Sequence, residues 1–394
     1  MAELSRRRLL GGGAAVLGVA GIGAAGVGTG LGYAATREPK PTGGRTVAFY
    51  GVHQAGIDTE PQAFAAFVAL DLRPGLDRRA LVGLMKVWAE DGRRLAGGSP
   101  ALGDTEPELA LDPARLTVTV GFGPAVFDVA GLAAQRPEWL RPLPAFSIDR
   151  LEERWSGGDL LLQVCADDPV TVSHATRTLS KSVRSLATVR WAQRGFRNAV
   201  GTKPTGTTMR NLMGQVDGTV NPAAGSTDFD RQVWNPGTPA WLAGGTSLVL
   251  RRIRMELDTW DELDRPAREL AVGRDLAAGA PLTGSREHDD PDFAATDVHG
   301  IPVIPPESHV ARARPRNANE QFLRRGYNYD DPDGAGLLFA AYQADVDAQF
   351  VPVQQRLAEH DALNPWITPV GSAVFAVPPG FGPGGYPGDT LFEG

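Results

Sequence analysis

Apolar residues along this chain fall into two repeating patterns. Phe64–Leu72 is apolar at nearly every position, which predicts a strand buried on both faces. Leu81, Leu84, Met85 and Trp88 then recur at spacings of three and four, the mark of an amphipathic helix from Asp77 to Leu95. Leu116–Val120 alternates apolar residues with threonine and predicts a strand with one face in water. Leu160–Cys165 reads as a strand. The stripe Val172, Ala175, Leu179, Val183 and Leu186 reads as a helix, and Val189–Trp191 as the start of a closing strand. Ahead of these, Val47–Val52 reads as a further strand and His53–Ile57 as a turn.

The second half repeats the first. Ser247–Met255 predicts a strand. Thr259, with Glu262 three residues on, has the form of a capping box that starts a helix through Leu263 and Leu270, despite Pro266. Gly336–Tyr342, Val346–Leu357 and Ser372–Val377 follow as strand, helix and strand. Leu160-Leu161-Leu162 before Asp168 lies over Leu337-Leu338-Phe339 before Asp345, each a strand leading into a helix. The match implies a duplicated β-α-β-β-α-β unit. The expected fold class is therefore α+β: two tandem ferredoxin-like domains, residues 47–200 and 201–394, with antiparallel sheets facing each other. A cavity between the sheets is the natural ligand site. The boundary falls near Arg197–Thr208, where polar residues, glycine and proline gather, and residues 36–46 read as a linker. About sixty residues separate the Trp260 helix from the Gly336 strand, and insertions of that length in a compact domain are usually functional.

Composition narrows the function classes. The chain has 394 residues and a formal net charge of −7, which argues against nucleic acid as a partner. The single cysteine, Cys165, excludes an intrachain disulfide, a covalent Cys-x-x-Cys-His haem attachment and any multi-cysteine metal cluster. At the N-terminus, Ser5-Arg6-Arg7-Arg8-Leu9-Leu10 precedes an uncharged run rich in glycine, alanine and valine. That pattern reads as a twin-arginine export signal over residues 1–35, with Gly32-Tyr33-Ala34-Ala35 offering small residues for cleavage. The expected location is periplasmic or extracellular. A membrane anchor is the competing reading, disfavoured because the run is glycine-rich and only weakly hydrophobic.

Candidate chemistry begins at Gly214-Gln215-Val216-Asp217-Gly218. One acid sits between two glycines, and Asn221-Pro222 turns the chain just after. Glycine lets backbone approach a flat or bulky ligand without a Cβ clash, so Gly214 and Gly218 are candidate ligand contacts and Asp217 the candidate acid. The six histidines show no metalloprotease-like spacing. His174 and His360 read as solvated helix positions, and His288 as part of an exposed charged loop. His309 stands apart, because it follows the proline-rich Ile301–Pro306 approach and precedes Arg312, Arg314 and Arg316. One imidazole among arginines suits a metal centre in an anionic macrocycle, whose carboxylates arginine can pair. A histidine on a basic surface loop fits the same residues. Arg324 and Arg325 lie between apolar and aromatic residues ahead of Gly326, so at least one is a candidate to point inward.

These segments together resemble the dye-decolourising peroxidases, most closely their secreted, twin-arginine subgroup. The resemblance is carried in order by Gly51-Val-His53-Gln54-Ala-Gly56-Ile57, Gly214-x-x-Asp217-Gly218, Val272-Gly-Arg274, Gly279-Ala-Pro281-Leu282, His309, Leu323-Arg324-Arg325-Gly326-Tyr327, Gln349-Phe350-Val351-Pro352 and Gly371 through Gly380. It implies haem b, bound non-covalently between two ferredoxin-like domains. It implies His309 as the proximal iron ligand, Asp217 as the distal acid–base residue and Arg324 as the distal arginine, with Arg325 the alternative. Gly214, Gly218, Arg312 and Arg325 are the further cofactor contacts it suggests. Here the stretch after the histidine reads His309-Val-Ala-Arg312-Ala-Arg-Pro-Arg316, where the family pattern is closer to His-x-Arg-x-Ala-Asn-Pro-Arg, so the arginine that meets a propionate stays open. The implied activity is a peroxidase that uses hydrogen peroxide to oxidise dyes, phenolics and other donors in one-electron steps through a ferryl intermediate. Asp361 is the candidate acceptor for the second ring N–H of His309. Tyr327, Tyr329, Tyr342 and Trp366 are candidate electron relays, though core packing is the preferred reading of each. Two rivals stand beside this. One is a haem-binding, iron-uptake-associated protein of deferrochelatase type; the other is a non-haem module in which Asp217 caps a turn. The twin-arginine export machinery is the expected macromolecular partner, and the oligomeric state is open.

Overall fold

The computed structural model describes residues 42–394, Ala318 apart, so the candidate export signal and most of the candidate linker lie outside the described residues. Residues Pro41–Gly394 gather into one compact unit. Nine strands run through the described residues: β1 (Phe64–Leu72), β2 (Thr117–Phe122), β3 (Leu160–Ala166), β4 (Ala187–Phe196), β5 (Thr246–Met255), β6 (Leu323–Arg324), β7 (Tyr327–Asp331), β8 (Gly334–Gln343) and β9 (Ile367–Val377). The first half pairs in the order β2-β3-β1-β4 and the second in the order β9-β5-β8-β7, with β6 also on β8. One antiparallel order thus occurs twice, and the duplicated ferredoxin-like fold is borne out.

The crossover helices start on acids, of which Asp168 and Asp345 are the pair that the repeat aligned. Asp77 accepts from the N–H of Ala80 and opens the Arg78–Ala96 helix. Asp168 accepts from Thr171 and opens Pro169–Ser182. Asp345 accepts from Ala348 at the equivalent place in the second half, ahead of one π-turn and the Val351–His360 helix. Each cap satisfies an N–H that the helix itself cannot.

The two sheets are joined rather than merely facing. Phe122 of β2 bridges Ala376 of β9, and Phe196 of β4 bridges Asn328 of β7. Since β5 pairs with both β8 and β9, the sheet closes into a ring. Phe67, Leu161, Trp191, Leu250, Tyr327 and Phe375 fill its inside, while Val68, Leu84, Trp88, Leu162 and Leu179 pack between sheet and helices outside. No helix among the described residues is long and apolar enough to cross a membrane.

Ring closure accounts for two departures from the sequence reading. Val47–Val52 is not a strand: its ladder-like contacts are Gly51 N–H to Phe381 O and Gly380 N–H to Val52 O, because β2 and β9 have already used each other's edges. The polar positions of β2 do not meet water either. Thr117 takes a hydrogen bond from Gln62, and Thr119 takes one from Gln163 and donates to Ala55 O, all inside the ring. Thr259 does not cap a helix. Its hydroxyl donates to Glu256 O within the short Leu257–Asp261 helix, and a separate helix, Arg265–Val272, starts at Asp264. Pro266 lies in that helix's first turn, where a missing N–H costs nothing. His174 is buried rather than solvated, at 2% exposure.

Gly336 marks the tightest strand contact of the second half. A Cβ there would sit 2.0 Å from Ile253 O and 2.9 Å from the Tyr329 ring. Gly336→Ala is expected to destabilise the fold by at least the roughly 1–3 kcal/mol typical of overpacking. A thermal melt followed by circular dichroism checks this, and an unchanged midpoint would mean that β5 and β8 part without cost at this position.

Candidate functional site

The loop before the second repeat is a small hairpin. Arg210 bridges Val216, the N–H of Asn211 donates to Gln215 O, and that of Gly214 donates to Asn211 O. Asn211 Oδ1 takes the N–H groups of Met213 and Gln215, both at 3.1 Å. Gly214 turns the tip with φ 83°, a conformation that glycine adopts without strain. The buried Trp260 pins the tip through Nε1 to Met213 O at 3.2 Å. Asp217 follows, with its own N–H on Met209 O, and Gly218 at φ 128° turns the chain away behind it.

Asn221 fastens this loop to β6. Its Nδ2 donates to Arg324 O at 2.7 Å, and its Oδ1 accepts from Arg324 N–H at 2.9 Å. The pairing sets Arg324 Nη1 3.5 Å from Asp217 Oδ1. Arg325 is one residue on and points elsewhere, as strand alternation requires. Its guanidinium is 1% exposed and donates to Thr59 O and to Gln62 Oε1.

His309 opens the one-turn helix His309–Ala313. The buried Ser308 before it and Val310 after it crowd Gly273, where a Cβ would lie 2.4 Å from Val310 and 2.8 Å from Ser308 Oγ. His309 Nδ1 lies 2.6 Å from Asp361 Oδ2, so the acceptor read from the sequence is present. Asp361 is itself buried, and its Oδ1 takes the N–H of Leu363. Burial alone would lower the His309 pKa, but the charge and hydrogen bond of Asp361 raise it overall. With Nδ1 held, Nε2 is the ring nitrogen left for a ligand.

These residues share one cavity of about 940 Å³, counting the part open to solvent. Asp217, Gly218, His309 and Arg324 all line it, with Val272, Phe293, Val310 and Leu363 as its apolar wall. Three of the residues singled out in the sequence lie off it. Gly214 turns the hairpin and offers its carbonyl to Arg210. Arg312 donates to Arg356 O and borders a neighbouring cavity, and Arg325 is sealed inside the ring. Arg314 lines the main cavity instead, with its guanidinium 4.4 Å from the centre of the Phe293 ring. Arg274 lines it too, buried, with Nη1 on Gly279 O and Glu287 O; burial lowers its pKa and the nearby Arg324 adds to that. Tyr327, Tyr329 and Tyr342 are core residues, and Trp366 packs edge-on against Trp260 at 5.3 Å.

Comparison with known proteins gives this geometry a context. The family description Dyp-type peroxidase, N-terminal, matches residues 54–197, and Dyp-type peroxidase, C-terminal, matches residues 208–381. The chain belongs to the Dyp-type peroxidase family. It is 43% identical over 363 residues to the dye-decolorizing peroxidase of Thermobifida fusca (strain YX), covering 86% of this chain and 84% of that one. It is 35% identical over 357 residues to the deferrochelatase of Escherichia coli (strain K12), covering 84% of each. A crystal structure of a DyP-type peroxidase from Cellulomonas bogoriensis superposes with a TM-score of 0.87 at 56% identity, over 90% of this chain and 100% of that one. Ferric DtpA from Streptomyces lividans superposes at 0.86 with 43% identity, over 90% and 98%. The Dyp-type chain described here is accordingly a peroxidase, which takes hydrogen peroxide and reducing substrates, and haem is its cofactor.

The cavity fits haem by its own chemistry. It has an apolar wall for a flat macrocycle, an imidazole anchored through one nitrogen only, and in Arg314 a cation with no ion pair among the described residues. Asp361→Asn removes the charge behind His309 while keeping its shape. The variant is expected to hold haem about 10–100-fold more weakly, as outer-shell substitutions at metal sites do. Haem titration followed at the Soret band checks this; equal affinity would show that Asp361 is only a helix-end cap.

Proposed function

We propose that His309 Nε2 ligates the haem iron, that Asp217 carries the proton of the peroxide reaction, and that Arg324 stabilises the charge this creates. One observation carries the reading: Asp217 and Arg324, 3.5 Å apart, line the same cavity as an imidazole whose other nitrogen is fixed by a carboxylate. When bound, haem supplies the redox chemistry that reduces hydrogen peroxide and oxidises the donor. Asp361 keeps the His309 proton on Nδ1 and so presents the Nε2 lone pair to the cavity. An Asp217 carboxylate oxygen takes the proton from one peroxide oxygen and returns it to the other, which then leaves as water. Arg324 stays cationic throughout and offsets negative charge as the O–O bond lengthens. Gly218 keeps the backbone beside Asp217 free of a Cβ, and Arg314 offers a guanidinium to a haem carboxylate.

Dyes and phenolics are the proposed donors, in line with the dye-decolorizing relative. A haem-handling role is the second reading, because several relatives at 35–38% identity are named deferrochelatase. Peroxide-driven bleaching of a dye by the haem-loaded protein separates the two. Asp217→Ala is expected to slow the reaction with peroxide about 100–10,000-fold in stopped-flow absorbance. Arg324→Leu should slow it about 100–1,000-fold. An unaltered rate in the Asp217 variant would move proton transfer to another group.

The proposed route out of the cytoplasm is the twin-arginine pathway, to the periplasm or the medium. Arg6, Arg7 and Arg8 ahead of a long uncharged run support it. Replacing all three arginines with lysine is expected to retain the protein in the cytoplasm, as scored by fractionation; unchanged export would sink this part of the proposal.

A further inference from the structure

The first repeat carries a cluster of ligating side chains that peroxidase chemistry does not use. Asp104, Glu106 and His174 each offer a ligand atom, and these atoms all lie within 4.8 Å of one another. Asp104 and Glu106 sit in the loop after the Arg78–Ala96 helix, and His174 sits in the Pro169–Ser182 helix. The His174 and Asp104 side chains are 2% and 1% exposed, with Nε2 3.1 Å from Oδ1. Asp104 Oδ1 also takes the Glu106 N–H at 3.0 Å. Asp104 Oδ2 is buried and has no hydrogen-bond partner among the described residues. A carboxylate oxygen left that way is costly, so it points to a missing partner. Asp104 and Glu106 line a surface cavity together with Asp91, and His174 lies behind it, outside the lining. The cations on this cavity are Arg177, Lys181 and Arg184. Arg177 pairs with Glu106 at 2.6 Å, and both side chains are about half exposed, so that pair exchanges easily.

We propose that Asp104, Glu106 and His174 bind one divalent first-row transition cation. An imidazole with two carboxylates suits zinc, manganese or ferrous iron, whereas calcium and magnesium prefer all-oxygen sites. His174 Nε2 shares a hydrogen bond with Asp104 Oδ1 at 3.1 Å, and the ion would take the place of the proton between them. Waters complete the shell. The ion satisfies Asp104 Oδ2 and staples the loop to the helix, so it stabilises the fold by mass action.

Zinc alone is the probe. Haem-loaded protein is stripped of loosely held metal with a chelator, equilibrated with zinc and desalted. Zinc and iron are then counted separately by mass spectrometry, and affinity is read by calorimetry. The wild type is expected to take up one zinc more per chain than the variants do, and to melt at a higher temperature with zinc present. Glu106→Gln changes an exposed side chain that threatens no core, and it should weaken zinc binding by more than about 100-fold, beyond the usual effect of an outer-shell change. His174→Gln keeps a donor toward Asp104 and should abolish the tight site. Uptake that is equal in the wild type and both variants is adventitious zinc and overturns the proposal. So does a wild type that takes up none; His174 and Asp104 are then only a buried hydrogen bond.

Discussion

Asn221 meets the backbone of Arg324 on both sides, donating from Nδ2 to its carbonyl and accepting at Oδ1 from its N–H. The Asp217–Arg324 side of the cavity depends on that pairing. The acid and the arginine come from segments 107 residues apart, and their charges attract across 3.5 Å in a partly exposed setting. Exposed ion pairs contribute about 0–1 kcal/mol, too little to hold a loop. Two neutral hydrogen bonds at about 0.5–1.5 kcal/mol each, together with the Trp260 pin beneath the hairpin, are the larger force. The charges therefore sit together because the backbone places them, which leaves both free to act on a third group.

The backbone of the fold was legible where burial is two-sided. β1 spans the residues that its apolar run predicted, and Asp168 and Asp345 start their helices where the repeat put them. Legibility failed where water was inferred from polarity. Thr117 and Thr119 alternate with valine just as a half-wet strand does, yet they face Gln62 and Gln163 inside a closed ring. His174 failed for the same reason, since its partner Asp104 is 70 residues away in the chain. A one-dimensional pattern distinguishes polar from apolar, and it carries no information on whether a polar residue has found a buried partner.

At the site, residue types were readable and directions were not. Asp217 and His309 were singled out by their surroundings, and Asp361 only as a candidate acceptor for the His309 ring. Arg324 and Arg325 are chemically identical neighbours, and only strand phase sends one to the cavity and the other into the ring. Arg312 and Arg314 separate because the helix ends at Ala313, so Arg314 leaves helical backbone and swings to Phe293. Asn221 was visible as half of an Asn-Pro turn. Its hold on Arg324 needed the distance between two remote segments to be known.

The closed sheet also has a meaning in time. A chain is made from its N-terminus, and the first repeat is complete once β4 has been synthesised. At that moment the outer edges of β2 and β4 face water, with backbone groups ready to pair with any strand that arrives. Their proper partners are β9 and β7, and β9 is the last strand of all, ending at Val377. The nascent first half is therefore a sticky object while the chain from Phe196 to Val377, a little under half of its length, is being made. Its protection comes from the final stretch of its own sequence.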